Sequence, residues 1–258
     1  MDKTLHNQVV ISGGLGDIGR AIALELARRG ADIAIGDVRD ESAARGFADQ
    51  LRELGVRFHY DTVDVANAAQ VTEWISTVER DLGVPTLIIP NAATVTLAGV
   101  LDVTAEQWSN ELGVNLDGAF HLAQAAALRM LAHKKPGRIV FVGSWAAHAP
   151  HNNIVAYCVA KAGLRMLCKC MAVELARDGI LVNEVAPGYV DAGLSAGIWA
   201  KNPGAKENAA KRVPTGQLID AADVAVQVAH LCEPANRHMT GSVLLMDGGL
   251  SLVTPGNR

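Results

Sequence analysis

Ser12-Gly13-Gly14-Leu15-Gly16-Asp17-Ile18-Gly19 starts at the last residue of the run 8–12, whose centre Val9-Val10-Ile11 is apolar, and leads straight into Arg20-Ala21-Ile22-Ala23. The run predicts a strand and the residues after it a helix. Gly14, Gly16 and Gly19 between them fit G-x-G-x-x-G. Glycine permits the tight turn and lets the backbone approach a pyrophosphate, which then lies at the positive end of the helix. A glycine-rich turn alone is a weak signal; its place after a first strand and before a helix gives it weight.

Outward from this turn, the next strand ends Ala34-Ile35-Gly36-Asp37, which puts an acid 18 residues after Gly19. A carboxylate there accepts the adenosine ribose hydroxyls and repels a 2′-phosphate, which favours NAD over NADP. Arg39, two residues on, is the opposing feature, because a cation suits a 2′-phosphate. Asp37 also has a plainer reading as a strand-end turn residue.

The rest of the chain repeats the pattern. Strands are predicted at 32–36, 57–61, 86–90, 138–143, 180–185 and 242–246, and helices at 18–29, 42–54, 68–82, 105–131, 155–177 and 221–232. Several strands are continuous apolar runs, as in a parallel sheet covered on both faces. Strict alternation indicates α/β architecture: a Rossmann-type doubly wound parallel sheet of about seven strands, in one domain over 1–258. Such sheets bind ligands beyond the carboxyl ends of their strands. Residues 189–217 lack clear pattern and carry Gly193, Gly197, Pro203, Gly204, Pro214 and Gly216 around a short helical run near 206–212. That segment reads as a lid over the substrate, against a plain surface excursion.

Composition narrows the class. Half of the 258 residues are hydrophobic, 19% are charged and the net charge is −4, which supplies a large core and argues against a nucleic-acid surface. Cys158, Cys168, Cys170 and Cys232 form no CxxC pair and have no histidine at metal-ligand spacing, so they read as reduced thiols and no metal site is expected. The polar start, 1–8, lacks a signal peptide's apolar core, and no apolar run nears the ~20 residues needed to span a bilayer. A cytoplasmic protein without membrane attachment is expected.

Tyr157-Cys158-Val159-Ala160-Lys161 places a phenol and an ammonium at i and i+4, on one face of a helix. A neighbouring cation favours the ionised phenol and tunes it for acid–base work. Y-x-x-x-K is common, and alone it reads as a helix-surface pair. Thirteen residues before Tyr157, however, Gly143-Ser144 follows the strand 138–142, and Gly113-Val114-Asn115-Leu116 interrupts an earlier helical pattern.

In order and spacing, these motifs and the first loop resemble the short-chain dehydrogenase/reductase family from Val9 to Gly249. The resemblance implies an NAD(P)-dependent oxidoreductase acting on a carbonyl or secondary alcohol. It assigns Tyr157 the proton of the substrate oxygen, and Lys161 the lowering of the phenol's pKa and a hold on the nicotinamide ribose. Ser144 would bind the substrate oxygen, and Asn115 would position a water linking Lys161 to solvent. The cofactor would lie along Ser12, Gly13, Gly14, Gly16, Asp17, Ile18 and Gly19, with Asp37 at the ribose and Asp64-Val65 at the adenine. Asn91 and Ala92 would follow, and Pro187-Gly188-Tyr189-Val190 would clasp the carboxamide through Val190. Asp247-Gly248-Gly249 matches a structural family ending.

The chain departs from the family pattern at several positions. Ser12 opens the loop where threonine is usual, and Asp17 replaces its middle glycine. Asp17 is expected to turn away from the phosphates and cap the helix. Ala93 replaces a glycine after Asn91-Ala92 and reaches positive φ less cheaply. Ala192 stands where a threonine often contacts the carboxamide.

Trp145, His148 and His151 between Ser144 and Tyr157, with Trp199 in the lid, suggest a polar hydroxylated substrate such as a sugar or polyol. The two histidines read equally well as solvated loop residues. A 3-oxoacyl-carrier-protein or other ketone reductase is the alternative, although no Arg/Lys cluster marks a carrier surface. A non-catalytic nucleotide sensor or a structural protein would not need both Tyr157 and Lys161. The resemblance also implies a homotetramer, for which 105–131 and 155–177 offer apolar helices.

Overall fold

The computed structural model describes residues 7–201 and 204–253; the polar start at 1–6 and Pro203 of the unpatterned segment lie outside them. The chain runs β1 (Gln8–Ser12), α1 (Asp17–Arg28), β2 (Asp32–Asp37), α2 (Arg45–Glu53), β3 (Phe58–Thr62), α3 (Ala68–Leu82) and β4 (Leu87–Ile89). It continues through α4 (Ala105–Leu112), α5 (Gly118–Ala132), β5 (Gly137–Val142), α6 (Val155–Leu175) and β6 (Ile180–Pro187). The last elements are α7 (Gly193–Lys201), α8 (Ala205–Arg212), α9 (Ala221–Cys232) and β7 (Val243–Met246). The strands form one sheet in the order β3-β2-β1-β4-β5-β6-β7, every pair parallel. The predicted doubly wound sheet is therefore observed.

Side chains along each strand point alternately to the two faces, and this sorts the apolar runs into two cores. Val9, Ile11, Ile33, Ile35, Val140 and Val142 join α1, α2 and α9 on one face. Val10, Ala34, Ile139 and Phe141 join α3, α5 and α6 on the other. The strand order reverses between β1 and β4, which opens a crevice at their carboxyl ends.

Two predicted elements differ. The helix 105–131 is broken by a π-helical turn at Gly113–Asp117. There Asn115 is buried and pairs with Thr94 on the loop after β4, donating to its carbonyl and accepting from its N–H, both at 2.8 Å. The segment 189–217 holds two helices, α7 and α8, not one short run. The sequence of α7 (GLSAGIWAK) has almost no apolar stripe, so helical periodicity could not betray it. The segment's ends are pinned together by a bridge between Val190 and Ile219.

Candidate active site

The first loop is shaped by close approaches. Gly13 has φ +62° and its N–H donates to Gly36 O at 2.8 Å. A Cβ on Gly14 would lie 2.6 Å from Ile35, and one on Gly19 would overlap Gly13 O. Ser12 Oγ accepts from the N–H groups of Asn91 at 3.0 Å and Ala92 at 3.1 Å. Asn91 Nδ2 donates back to the Ser12 and Gly13 carbonyls at 3.0 and 3.1 Å. The loops after β1 and β4 are thus tied together. Ala93 needs no glycine, since among the described residues only Lys134 and Asn153 are non-glycines with positive φ.

Asp17 does not cap α1 as expected. Gly16 is the N-cap and no side chain bonds the first-turn amides, which leaves that turn open to an anion. The Asp17 carboxylate turns instead to the start of α7 and accepts from Gly193 N at 2.8 Å.

A cleft of about 550 Å³ runs over this turn. Gly13, Gly16, Asp17, Ile18, Gly19, Asp37, Asp64, Val65, Asn91, Ala92, Pro187, Gly188 and Val190 line it, together with Ser144, Tyr157 and Lys161. Ser12, Gly14 and Asn115 do not border it. Trp145, His148, His151 and Trp199 do not border the cleft. Trp145 is buried with Val213 and Leu250, its ring 4.2 Å from His151 and 5.3 Å from Tyr189, which in turn lies 6.2 Å from Trp199. Burial pushes His151 below its ordinary pKa, and the Arg212 charge adds to the shift.

At the ribose end Asp37 is buried. Its Oδ2 accepts from Leu15 N at 3.1 Å, and its Oδ1 from Arg39 N at 3.2 Å and Arg39 Nε at 3.1 Å. Arg39 thus folds back onto the acid with which it was expected to compete.

At the other end Lys161 is buried and donates to Val142 O at 2.9 Å; its Nζ lies 5.6 Å from the Tyr157 ring centre. Burial of the phenolic oxygen pushes Tyr157 up to about 12, against the lowering effect of a Ser144 hydrogen bond. Burial pushes Lys161 down to about 8, against the attraction of Glu184. The sequence led us to expect a phenol lowered by its cation; here burial is the largest influence on both groups and acts toward the neutral form of each.

Residues 14–251 match the family described as Enoyl-(Acyl carrier protein) reductase. A structure titled a short-chain type dehydrogenase/reductase, from Mycobacterium marinum, superposes with a TM-score of 0.90 at 28% identity, covering 96% of each chain. The chain belongs to the short-chain dehydrogenase/reductase family. It is therefore an NAD(P)-dependent oxidoreductase acting on alcohol and ketone groups. This dehydrogenase/reductase is 32% identical over 246 residues to the uncharacterized oxidoreductase YohF of Escherichia coli, covering 95% of this chain and 96% of the relative. It also resembles a gluconate 5-dehydrogenase from Burkholderia cenocepacia in complex with NADP and tartrate, with TM-score 0.91, 30% identity and 98% of each chain covered.

The dehydrogenase/reductase's own residues fit a dinucleotide. The glycine turn would be blocked by added Cβ atoms, the first turn of α1 is uncapped, and the cleft continues unbroken from Asp37 to Lys161. Sequence reasoning missed Val38, Val63, Thr94, Asn110, Leu194 and Ser195, which also line the cleft. Val38 and Val63 directly follow β2 and β3, so the rule that ligands lie beyond strand ends was the available signal. Among the described residues no helix is long and apolar enough to cross a membrane.

Proposed function

We propose that the enzyme uses NAD to interconvert a secondary alcohol and a ketone on a small hydroxylated substrate of the sugar or polyol class. When bound, the nicotinamide supplies or accepts the hydride. Tyr157 gives or takes the proton at its phenolic oxygen, Ser144 Oγ orients the substrate oxygen, and Lys161 Nζ balances the charge on the phenol. Asn115 braces this centre through Thr94 and through a water held near its turn. The observation that carries this reading is that Ser144, Tyr157 and Lys161 line the same cleft as the glycine turn.

The finer assignments rest on further features. Asp37, at the end of β2, supports NAD. Thr94, Asn110 and Ser195 offer polar groups to a hydroxylated substrate, and the likeness to a gluconate 5-dehydrogenase points to the same class. Trp145, His151 and Trp199 pack with Tyr189 beside the cleft and contribute to its support, not to its lining. Residues 189–217 serve as a lid within a single domain. Exposed Phe120 and Leu128 on α5 and Val159, Met166 and Val173 on α6 support helix-mediated assembly into a homotetramer. Four unbonded cysteines suit the cytoplasm.

The test is nicotinamide absorbance over gluconate, other sugar acids, polyols, simple secondary alcohols, ketones and an acetoacetyl thioester, with NAD and NADP side by side. Turnover with NAD and one hydroxylated class is expected. Preference for the thioester would favour the 3-oxoacyl-carrier-protein reductase reading, the activity named for a relative 30% identical to this chain. Faster turnover with NADP would overturn the role given to Asp37.

A further inference from the structure

Arg165 stands one turn beyond Lys161 on α6, so Tyr157, Lys161 and Arg165 form a row at i, i+4 and i+8. Its guanidinium makes a two-pronged bond to Glu184, Nε to Oε2 at 3.0 Å and Nη2 to Oε1 at 2.9 Å. The same Nη2 donates to the Ser144 carbonyl at 3.1 Å. Glu184 is fully buried in β6, level with Phe141 of β5 and Val243 of β7. A carboxylate in such a place is costly unless paired and fully hydrogen-bonded, and a guanidinium fork meets that need better than an ammonium.

The pair reaches the end of β5 by a specific route. A Cβ on Gly143 would overlap Glu184 Oε1, so the glycine before Ser144 makes room for the carboxylate. Three successive residues are then held from below. Lys161 bonds Val142 O, Glu184 packs against Gly143, and Arg165 bonds Ser144 O.

We propose that Arg165 and Glu184 form a positioning pair for the reacting groups: the guanidinium holds the Ser144 backbone, and the carboxylate balances the charges of Lys161 and Arg165. The proposal rests on reading Ser144, Tyr157 and Lys161 as those groups. The charged and titratable neighbours that bear on the centre are few. Tyr157, Cys158, Arg165 and Cys168 share α6 with Lys161, Glu184 faces them from β6 and acts on both Lys161 and Cys168, and Glu111 on α4 acts on Tyr157. Glu184 is the one named charge that sustains the Lys161 ammonium against burial.

The test needs no turnover. Full-length protein with 13C-labelled lysine is titrated by NMR, and Lys161 is assigned by the signal lost in Lys161→Met. Glu184→Gln is expected to lower the Lys161 midpoint by about one pH unit or more. If that variant does not fold, Arg165→Met/Glu184→Gln replaces the pair by neutral groups of similar volume, an exchange that proteins often tolerate. Its midpoint is expected to fall as well, by less. Arg165→Lys keeps the charge but has no fork to span Glu184 and Ser144. Its Lys161 midpoint is expected to stay put, while the Ala146 amide, which donates to Ser144 Oγ at 3.1 Å, exchanges about tenfold faster. A folded variant without Glu184 that titrates within about 0.3 unit of the wild type, or an unaltered Ala146 amide in Arg165→Lys, would overturn the proposal. A silent substrate panel would instead fail the functional reading above.

Discussion

Asp17 Oδ2 accepts a hydrogen bond from Gly193 N at 2.8 Å, joining the first turn of α1 to the first residue of α7 across 176 positions of sequence. The residue that occupies a usual glycine position thereby ties the segment 189–217 to the glycine-turn end of the cleft. Asp17→Ala should raise Gly193 amide exchange by about tenfold, the scale of one lost charge-assisted bond. Asp17→Asn keeps an acceptor, so exchange should stay near wild type. Loss of the negative charge should tighten NADH binding several-fold at low salt, less so at high salt. Hydrogen exchange and fluorescence titration check both halves, and a protected Gly193 amide in the alanine variant would contradict the tie.

Asp37 and Arg39 form one unit, so their variants should not mirror each other. Asp37→Ser removes the carboxylate and frees Arg39, and should lower kcat/KM with NAD by roughly tenfold to a hundredfold, the range for a lost charge-assisted bond. NADP use should rise. Arg39→Ala leaves Asp37 bonded to Leu15 N and should change NAD use little. Parallel kinetics with the two cofactors decide the matter.

Tyr157→Phe removes only the phenolic oxygen. Turnover should fall by about 10² to 10⁴, while NADH affinity stays within about twofold. Equal losses in both would mean that the ring, not the hydroxyl, is the working part.

Lys161 is held at about 8, below its ordinary 10.5. For a base shifted downward, the unfolded chain binds the proton more tightly. The cost to folding is therefore complete below about pH 8 and fades as pH rises toward the unfolded value of ~10.4. Lys161→Met should remove a cost of about 3 kcal/mol at pH 7 and lose about 1 kcal/mol with the Val142 bond. The net gain, ~2 kcal/mol, should shrink by pH 10. Denaturant melts of both proteins at the two pH values test this, and a variant less stable at pH 7 would refute it.

Glu111 is fully buried; its Oε2 accepts from Thr96 N at 2.9 Å, and its Oε1 has no hydrogen-bond partner. Burial raises its pKa, outweighing the Thr96 bonds. An acid shifted upward favours the fold while protonated, and that benefit fades as pH rises from the unfolded value of ~4.3 through the folded one. Glu111→Gln, which stays neutral, should therefore melt higher than wild type at pH 8 and level with it at pH 4. A difference independent of pH would show that shape, not charge, governs the site.

Much of the fold was legible because its signals are local. The centre of β1, Val9-Val10-Ile11, is buried on both faces and has to be apolar, and the turn after it needs glycines wherever another backbone or side chain comes close. α3 and α9 begin and end where their apolar periodicity does. The interruption at 113–116 was visible in the sequence, but its π-helical form was not, since an extra residue in a helical turn leaves the apolar spacing nearly intact. α7 was invisible for a related reason, having almost no apolar stripe. Trp145 and His151 read as cleft residues because they lie between Ser144 and Tyr157 in sequence, yet they pack with Tyr189 and Val213 beside the cleft.

By itself, the sequence determined the parallel sheet, the glycine turn and the row from Tyr157 to Lys161. Each depends on residues within a few positions of one another, where spacing alone dictates who shares a face. Only the tertiary structure decided that Asp17 reaches Gly193, that Arg39 folds onto Asp37 and that Arg165 meets Glu184 beneath Ser144. It also decided the direction of the pKa shifts: spacing alone suggests a phenol lowered by its cation, but burial raises Tyr157 and lowers Lys161, and that burial comes from every element packed around them.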